Sequence, residues 1–303
     1  MTSAGASGPG LGHRLLRVLG HQHWIRRGRD RLLRRLDNPE GHPRVPFTVD
    51  FFGRTYSGDL ANFIDWSVYY YGCYARSEIL LLGDLVRHLR ATGRPRITAL
   101  DVGANVGHHM LFLSTVADHV IAVEPYAEVR AQAAGKIAAN GLHNVTLLPV
   151  GFAAADAVLS FVPPAGENSG TGSFHHPEGT AGTIPLRVRR GDDALAEIAA
   201  PRLDLVKIDV EGFERDVLAG LAGRLAADRP ALLMELSTAT RTAFASASGL
   251  QEALPPDYGL HAVRDLSVSG PYALEAFDFQ GTDALLALPR EVAGFASPGR
   301  RRP

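Results

Sequence analysis

Ile97-Thr98-Ala99-Leu100-Asp101-Val102-Gly103-Ala104-Asn105-Val106-Gly107 decides how this chain folds. An apolar run that suits a buried strand delivers an acid, Asp101, and then breaks into glycines at Gly103 and Gly107. A helix-like pattern follows at Met110, Leu111 and Leu113. Glycine lets the backbone turn sharply and approach a ligand closely, because no Cβ blocks either move. A second apolar run, Val120-Ile121-Ala122-Val123, then ends in Glu124, whose carboxylate suits a pair of ribose hydroxyls. Strand, glycine turn, helix and an acid about 20 residues later is how nucleoside ligands are held.

Outward from this stretch, strands and helices alternate. Strands are predicted at 97–102, 119–124, 145–150, 203–210 and 231–236, with helices at 108–117, 127–140, 192–199 and 214–226 between them. His261–Val263 and Ala284–Leu288 would complete the sheet. Mostly apolar strands alternating with helices predict an α/β fold, a doubly wound and mostly parallel seven-stranded sheet with helices on both faces. The Gly-, Pro- and Ser-rich section from Ala153 to Arg190 reads as a loop with an inserted β-hairpin. Upstream, Phe47 to Tyr56 alternates and turns at Gly53 as a hairpin. The aromatic patch Trp66, Tyr69, Tyr70, Tyr71 and Tyr74 leads into a helix over Arg76 to Leu89. The expected organisation is a basic, partly disordered and partly helical extension over 1–45, then a cap region over 46–95. The nucleoside-binding domain follows over 96–290, with a disordered tail over 291–303.

The composition excludes several classes. With 46% hydrophobic and 21% charged residues the chain is an ordinary globular sequence. A net charge of −1 provides no overall pull towards nucleic acid. One cysteine, Cys73, rules out an internal disulfide and any cysteine-cluster metal site. No transmembrane or secretory segment is read, so a cytoplasmic soluble protein is expected. The basic excess lies at the two ends, including Arg14, Arg17, Arg26, Arg27, Arg29, Arg31, Arg34 and Arg35 at the front and Arg300 to Arg302 at the back. A helix over 13–36 could lie on an anionic membrane surface, or pack on its own domain or a second subunit with its arginines in water.

In an open parallel sheet the ligand sits beyond the carboxyl ends of the strands, where strand order reverses. The predicted strands deliver Asp101, Gly103, Asn105 and Gly107, then Glu124, then Gly151, then Asp209 and Glu211, then Glu235 to that rim. The leading acid and the absence of a third glycine favour S-adenosylmethionine over a dinucleotide. Asp101 would suit its cationic end, backbone N–H groups from Gly103 to Gly107 its carboxylate, Glu124 its ribose, and the Gly151-Phe152 turn its adenine.

These motifs make the chain resemble the FkbM family of S-adenosylmethionine-dependent methyltransferases. The matching pieces are Asp101 to Gly107, Val123-Glu124-Pro125, Asn140 with His143-Asn144-Val145, and Asn168-Ser169-Gly170. The most distinctive is Val206-Lys207-Ile208-Asp209-Val210-Glu211-Gly212-Phe213-Glu214, followed by Val217-Leu218, Arg229-Pro230 and Met234-Glu235. Upstream, Gly58-Asp59-Leu60 and Tyr71-Gly72-Cys73-Tyr74 also match some members, but Ala75 stands where a glutamate is expected, with Glu78 nearby.

The resemblance implies a Rossmann-like class I methyltransferase fold and O-methylation of a sugar, glycan, polyketide or related metabolite. Lys207 to Gly212 would meet the acceptor there, with Asp209 the leading candidate base and Glu211 the second. Asp209 could instead hold the cofactor's ammonium while Glu211 caps the next helix. The pairs His108-His109 and His175-His176 are further base candidates. A cation on Asp209, Glu235 and a histidine is conceivable, but no ligand spacing requires one and no metal is expected. The aromatic patch suits core, subunit interface or a substrate lid, and a homo-oligomer is possible. The competing readings are a methyltransferase-like binding module without activity and an NAD-dependent oxidoreductase.

Overall fold

The computed structural model describes residues 8–22, 25, 28–164, 172–174, 176, 179–265, 271–292 and 294–295. Asn168-Ser169-Gly170, His175, Arg26, Arg27, residues 1–7, and 296–303 with Arg300 to Arg302 lie outside them.

The chain begins with two helices where the sequence suggests one: α1 (Leu11–Gly20) and α2 (Arg29–Leu36). Glycines mark the break. Gly28 has φ +79°, and a Cβ on Gly20 would lie 2.1 Å from the Tyr70 carbonyl oxygen. The hairpin follows as β1 (Pro46–Phe51) and β2 (Arg54–Asp59), turning at Gly53 with φ +78°. The aromatic patch forms α3 (Phe63–Tyr71), capped by the Asn62 side chain, and α4 (Arg76–Ala91) follows. Trp66, Tyr69, Tyr70 and Tyr71 are buried and belong to the core, whereas Tyr74 is only partly buried.

The nucleoside-binding region then alternates as expected. β3 (Thr98–Val102), α5 (His108–Val116), β4 (His119–Val123), α6 (Ala127–Ala139) and β5 (Val145–Leu148) come first. β6 (Gly151–Ala153), β7 (Ala157–Phe161) and β8 (Ile184–Arg190) form a separate three-stranded sheet, in which β7 and β8 are the inserted hairpin. After α7 (Gly191–Glu197) and β9 (Leu205–Ile208), the expected single helix divides into α8 (Glu214–Gly220) and α9 (Ala222–Asp228). The split falls where Gly220 meets β6: a Cβ there would sit 2.0 Å from the Ala153 carbonyl oxygen. β10 (Ala231–Glu235), α10 (Thr238–Phe244), α11 (Ala247–Glu252), β11 (Tyr258–Asp265), β12 (Tyr272–Ala276) and β13 (Ala284–Pro289) complete the chain.

The main sheet has the order β5-β4-β3-β9-β10-β13-β11-β12. Pairing from β5 to β10 is parallel, and β13 runs antiparallel between β10 and β11. It therefore has eight strands, not seven. The extra one, β12, is a half-exposed edge without the apolar run that marks a buried strand. Alternation along the strands divides the core between the two faces. Ala99, Val120, Leu205 and Leu233 pack beneath the N-terminal helices, and Leu100, Ile121, Val206 and Leu232 pack beneath the later ones.

Asp37 ties the front of the chain to this body. Its carboxylate accepts from the Tyr70 hydroxyl at 2.5 Å and the Trp66 indole N–H at 3.3 Å, and His42 Nε2 lies 2.7 Å away. Asp37→Ala strands these groups and should lower stability by about 2–4 kcal/mol, read as a shifted urea midpoint.

Candidate active site

The chain leaves β3 in one direction towards β4 and β5, and returns on the other side at β9. This makes the β3/β9 boundary the switch point of the sheet. Asp101 and Lys207 are direct partners across that boundary. Lys207, a charge inside the otherwise apolar β9, is 3% exposed. Its Nζ lies 3.6 Å from Asp101 Oδ1, 3.2 Å from Asp209 Oδ2 and 3.4 Å from the Gly103 carbonyl oxygen. Burial pulls the ammonium down, but Asp209, Asp101 and Glu78 outweigh it and hold Lys207 above the usual lysine range. Asp101 is fully buried, and neither carboxylate oxygen has a hydrogen-bond partner.

The glycine turn passes directly over β9. Gly103 has φ +81°, and a Cβ there would lie 1.9 Å from the Asp209 carbonyl oxygen, so no side chain fits. The turn's N–H groups differ from expectation, because each is already paired. Gly103 and Ala104 donate to the Val123 carbonyl, Asn105 to Glu124 Oε2, Val106 to Asn105 Oδ1, and Gly107 to the Ala104 carbonyl. The first turn of α5, by contrast, has no side-chain cap on its N–H groups. Glu124 closes the turn by accepting from both Asn105 N–H and Tyr126 N–H at 2.8 Å. Burial lifts its carboxyl to about 7 despite these two bonds.

A cleft of about 140 Å³, not counting its open mouth, lies over this rim. Gly103, Asn105, Glu124, Pro125, Asp209, Glu211 and Glu235 line it. Asp101 sits beneath its floor, joined through Lys207, and Gly107 starts α5 beside it. Gly151 and Phe152 are not part of the lining. They belong to β6, where Gly151 backs onto Pro125 and Val188, and Phe152 is buried in the second core. The chain turns into the second sheet here, so an adenine wall would come from other residues.

The loop after β9 and the end of β10 set three carboxylates close together. Asp209, Glu211 and Glu235 each bring an oxygen within 4.8 Å of the others, so the third member of this group is Glu211 and not a histidine. Burial raises the Asp209 carboxyl, but Lys207, a hydrogen bond from Glu235 and nearby His109 outweigh it and lower the pKa. Glu235 is pushed up to about 9 by burial and by Asp209, to which it donates its proton. Glu211 is pushed up to about 7 by burial, Asp209 and Glu214. It occupies a left-handed backbone position, φ +53°, uncommon for a residue with a side chain. Glu214, fully buried, pins this loop. Its carboxylate accepts from Val210 N–H, Gly212 N–H and the Thr240 hydroxyl. Glu214 thus does the tethering considered for Glu211, whose carboxylate makes no hydrogen bond among the described residues.

Tyr74 and the two histidines form the opposite wall. His108 Nε2 accepts from the Tyr74 N–H at 3.2 Å, and burial with neighbouring cations pushes its pKa well below the usual value. This bond makes His108 a support for the Tyr74 backbone. His109 Nε2 lies 3.4 Å from Glu78 Oε2, so the acid one turn beyond Ala75 does reach this wall. The sequence reading missed Tyr126, Val129, Phe161 and Phe174 in the lining. The three aromatic rings meet around Phe161 of the second sheet, whose centroid lies 5.6 Å from that of Tyr126 and 5.0 Å from that of Phe174.

A parallel sheet with the antiparallel β13 inserted between β10 and β11, and an acid-rimmed cleft at its switch point, is the class I methyltransferase fold. The chain matches the Methyltransferase FkbM domain over residues 101–265, more than half its length, and belongs to that family. It is 29% identical to the hexuronic acid methyltransferase AglP of Haloferax volcanii, over 47% of this chain and 57% of that protein. It is 26% identical to the AMB antimetabolite synthetase AmbE of Pseudomonas aeruginosa, over 42% of this chain and 8% of that protein. The chain thus spans well under two thirds of either curated relative. Among solved structures, the methyltransferase FkbM of Methylobacillus flagellatus superimposes with a TM-score of 0.43 at 18% identity, over 63% of this chain and 43% of that one.

The Glu235 proton has a stability consequence. The folded state holds it up to about pH 9, whereas the ordinary value is 4.5. Its contribution is full below the lower value and lost as pH rises through the higher one. His108, shifted downward, acts in the opposite sense only below its ordinary 6.5. The urea midpoint should therefore fall between about pH 7 and 9, and fall less in Glu235→Gln. Equal falls in both proteins would assign the effect elsewhere.

Proposed function

We propose that this chain is an S-adenosylmethionine-dependent O-methyltransferase whose acceptor is a hydroxyl of a sugar, glycan, polyketide or related metabolite. The observation that carries the reading is the surplus of carboxylates over one buried lysine at the switch point. That surplus leaves Glu235 and Glu211 holding protons they would release in water. A ligand carrying a sulfonium and an ammonium suits such a site, because each positive charge relieves repulsion among the acids. The residues fit this cofactor in a second respect. Each Glu124 oxygen receives one backbone N–H, leaving a lone pair on each for a diol. Glu124 would hold the ribose, the start of α5 the carboxylate, and Asp209 with the Lys207–Asp101 pair the ammonium end. Bound there, the cofactor supplies an already activated methyl group.

The protein then has to position an acceptor hydroxyl and take its proton. Asp209 is the weaker candidate base, since Lys207 and Glu235 hold its charge in place. Glu211 has a pKa of about 7, faces the cleft and is free of hydrogen bonds among the described residues. A base poised near neutrality suits this task. Lys207 already provides a fixed cation beside Asp209, so the proposed reaction needs no metal and its rate should persist in a chelator. A lost rate would give the three carboxylates to a cation instead.

Glu211→Gln should lower kcat by about 10²–10⁴-fold while changing cofactor affinity less than about threefold. The wild-type kcat/KM should rise with pH to a plateau above about 7. Parallel loss of cofactor binding and turnover would move Glu211 into the cofactor-holding set. Calorimetry with S-adenosylmethionine and with NAD separates the methyltransferase from an oxidoreductase, and methyl release over an acceptor panel separates it from a binding module. Hexuronic acid glycosides belong in that panel because one relative is named for methylating hexuronic acid.

A further inference from the structure

The N-terminal helices carry a surface that the cleft does not explain. Eight large hydrophobic residues are exposed among the described residues, and five of them lie on α1 and α2. On α1 they are Leu11 at 75%, Leu15 at 63% and Val18 at 62%. Spaced i, i+4, i+7, these three fall within about 60° of one another around a helix of 3.6 residues per turn. The flanks of that stripe turn inward: Leu16 and Leu19 lie against the core, and Arg17 bonds the Tyr69 carbonyl. On α2, Leu33 is fully buried, while Leu32 and Leu36, at i and i+4, face outward at 44% and 58%. Both helices therefore spend one apolar stripe on the fold and keep a second one in water.

The charge around that second stripe identifies its partner. Residues 8–45 contain nine arginines and three acids, in a chain whose total is −1. Two of the acids are already engaged: Asp37 with Trp66, Tyr70 and His42, and Asp30 with Arg34 and the Tyr71 hydroxyl. Arg14, Arg31 and Arg35 are exposed and form no ion pair among the described residues. Exposed leucines set among unpaired arginines match the boundary of an anionic bilayer, where acyl chains take the leucines and phosphates take the guanidinium groups. A second copy of the same surface would bring arginine against arginine.

We propose that α1 and α2 dock this protein on an anionic lipid surface, with Leu11, Leu15, Val18, Leu32 and Leu36 entering the headgroup boundary. The contact is reversible and peripheral, since no helix among the described residues is long and apolar enough to cross a membrane. The test is co-sedimentation of the full chain with phosphatidylcholine vesicles, with and without phosphatidylglycerol. The expected result is at least about tenfold stronger partitioning onto the anionic vesicles, weakened by high salt. Leu15→Asp with Val18→Asp should lose that partitioning with an unchanged thermal midpoint, because both side chains are exposed. Arg31→Glu with Arg35→Glu should lose the preference for phosphatidylglycerol. The proposal is overturned if the wild type stays in the supernatant, or binds both vesicle types equally. It is also overturned if Leu15→Asp with Val18→Asp splits a solution dimer while vesicle binding is absent.

Discussion

The Lys207 ammonium, held between Asp101 and Asp209, is the interaction on which the site is built. The two strands it joins are the neighbours between which the sheet changes direction, so it links the two halves of the α/β domain as well. An unpaired buried carboxylate is costly, and among the described residues this ammonium is the ion-pair partner that Asp101 has. The same cation lowers Asp209 and leaves the next acids, Glu211 and Glu235, to adjust by holding protons. Three acids, Asp209, Glu211 and Glu235, thus differ in ionisation around one lysine, through proximity and burial.

Backbone geometry supports that electrostatic arrangement. Gly103 lets the first turn lie against the Asp209 carbonyl, and Glu124 fastens the far side of the turn by two backbone bonds. Glu214 does the same for the β9 loop from beneath, with Thr240 of α10 as its outer partner. Because Glu214 satisfies the loop's N–H groups, Glu211 keeps its carboxylate in the cleft despite an unfavourable φ. Strain at one residue is sustained by hydrogen bonds made at another.

Much of this was legible from the sequence because strands and turns leave local marks. Apolar runs ending in Asp101 and Glu124, glycines at 103 and 107, and the Lys207 to Glu214 segment all carry their meaning within a few residues. The parts that were not legible depend on contacts between distant segments. Gly151 and Phe152 follow β5 in sequence, yet pair with β8 in another sheet, which removes them from the cleft. The turn's N–H groups look available in sequence, but Val123 and Glu124 occupy them in space. β12 was missed because an edge strand with one exposed face lacks the apolar run of a buried one. Tyr126, Phe161 and Phe174 gave no signal, since isolated aromatic residues become a wall only when the insertion folds over the rim.

The net charge of −1 conceals a separation that the fold preserves. Carboxylates gather at the carboxyl rim of the sheet, where burial turns their excess into held protons and a preference for cations. Arginines gather on α1 and α2, where Arg14, Arg31 and Arg35 are exposed and form no ion pair among the described residues. Asp37 keeps these two regions mechanically joined, by fixing α2 to Trp66 and Tyr70 of α3. The helix that takes those bonds also supplies Ile64 to the cleft lining.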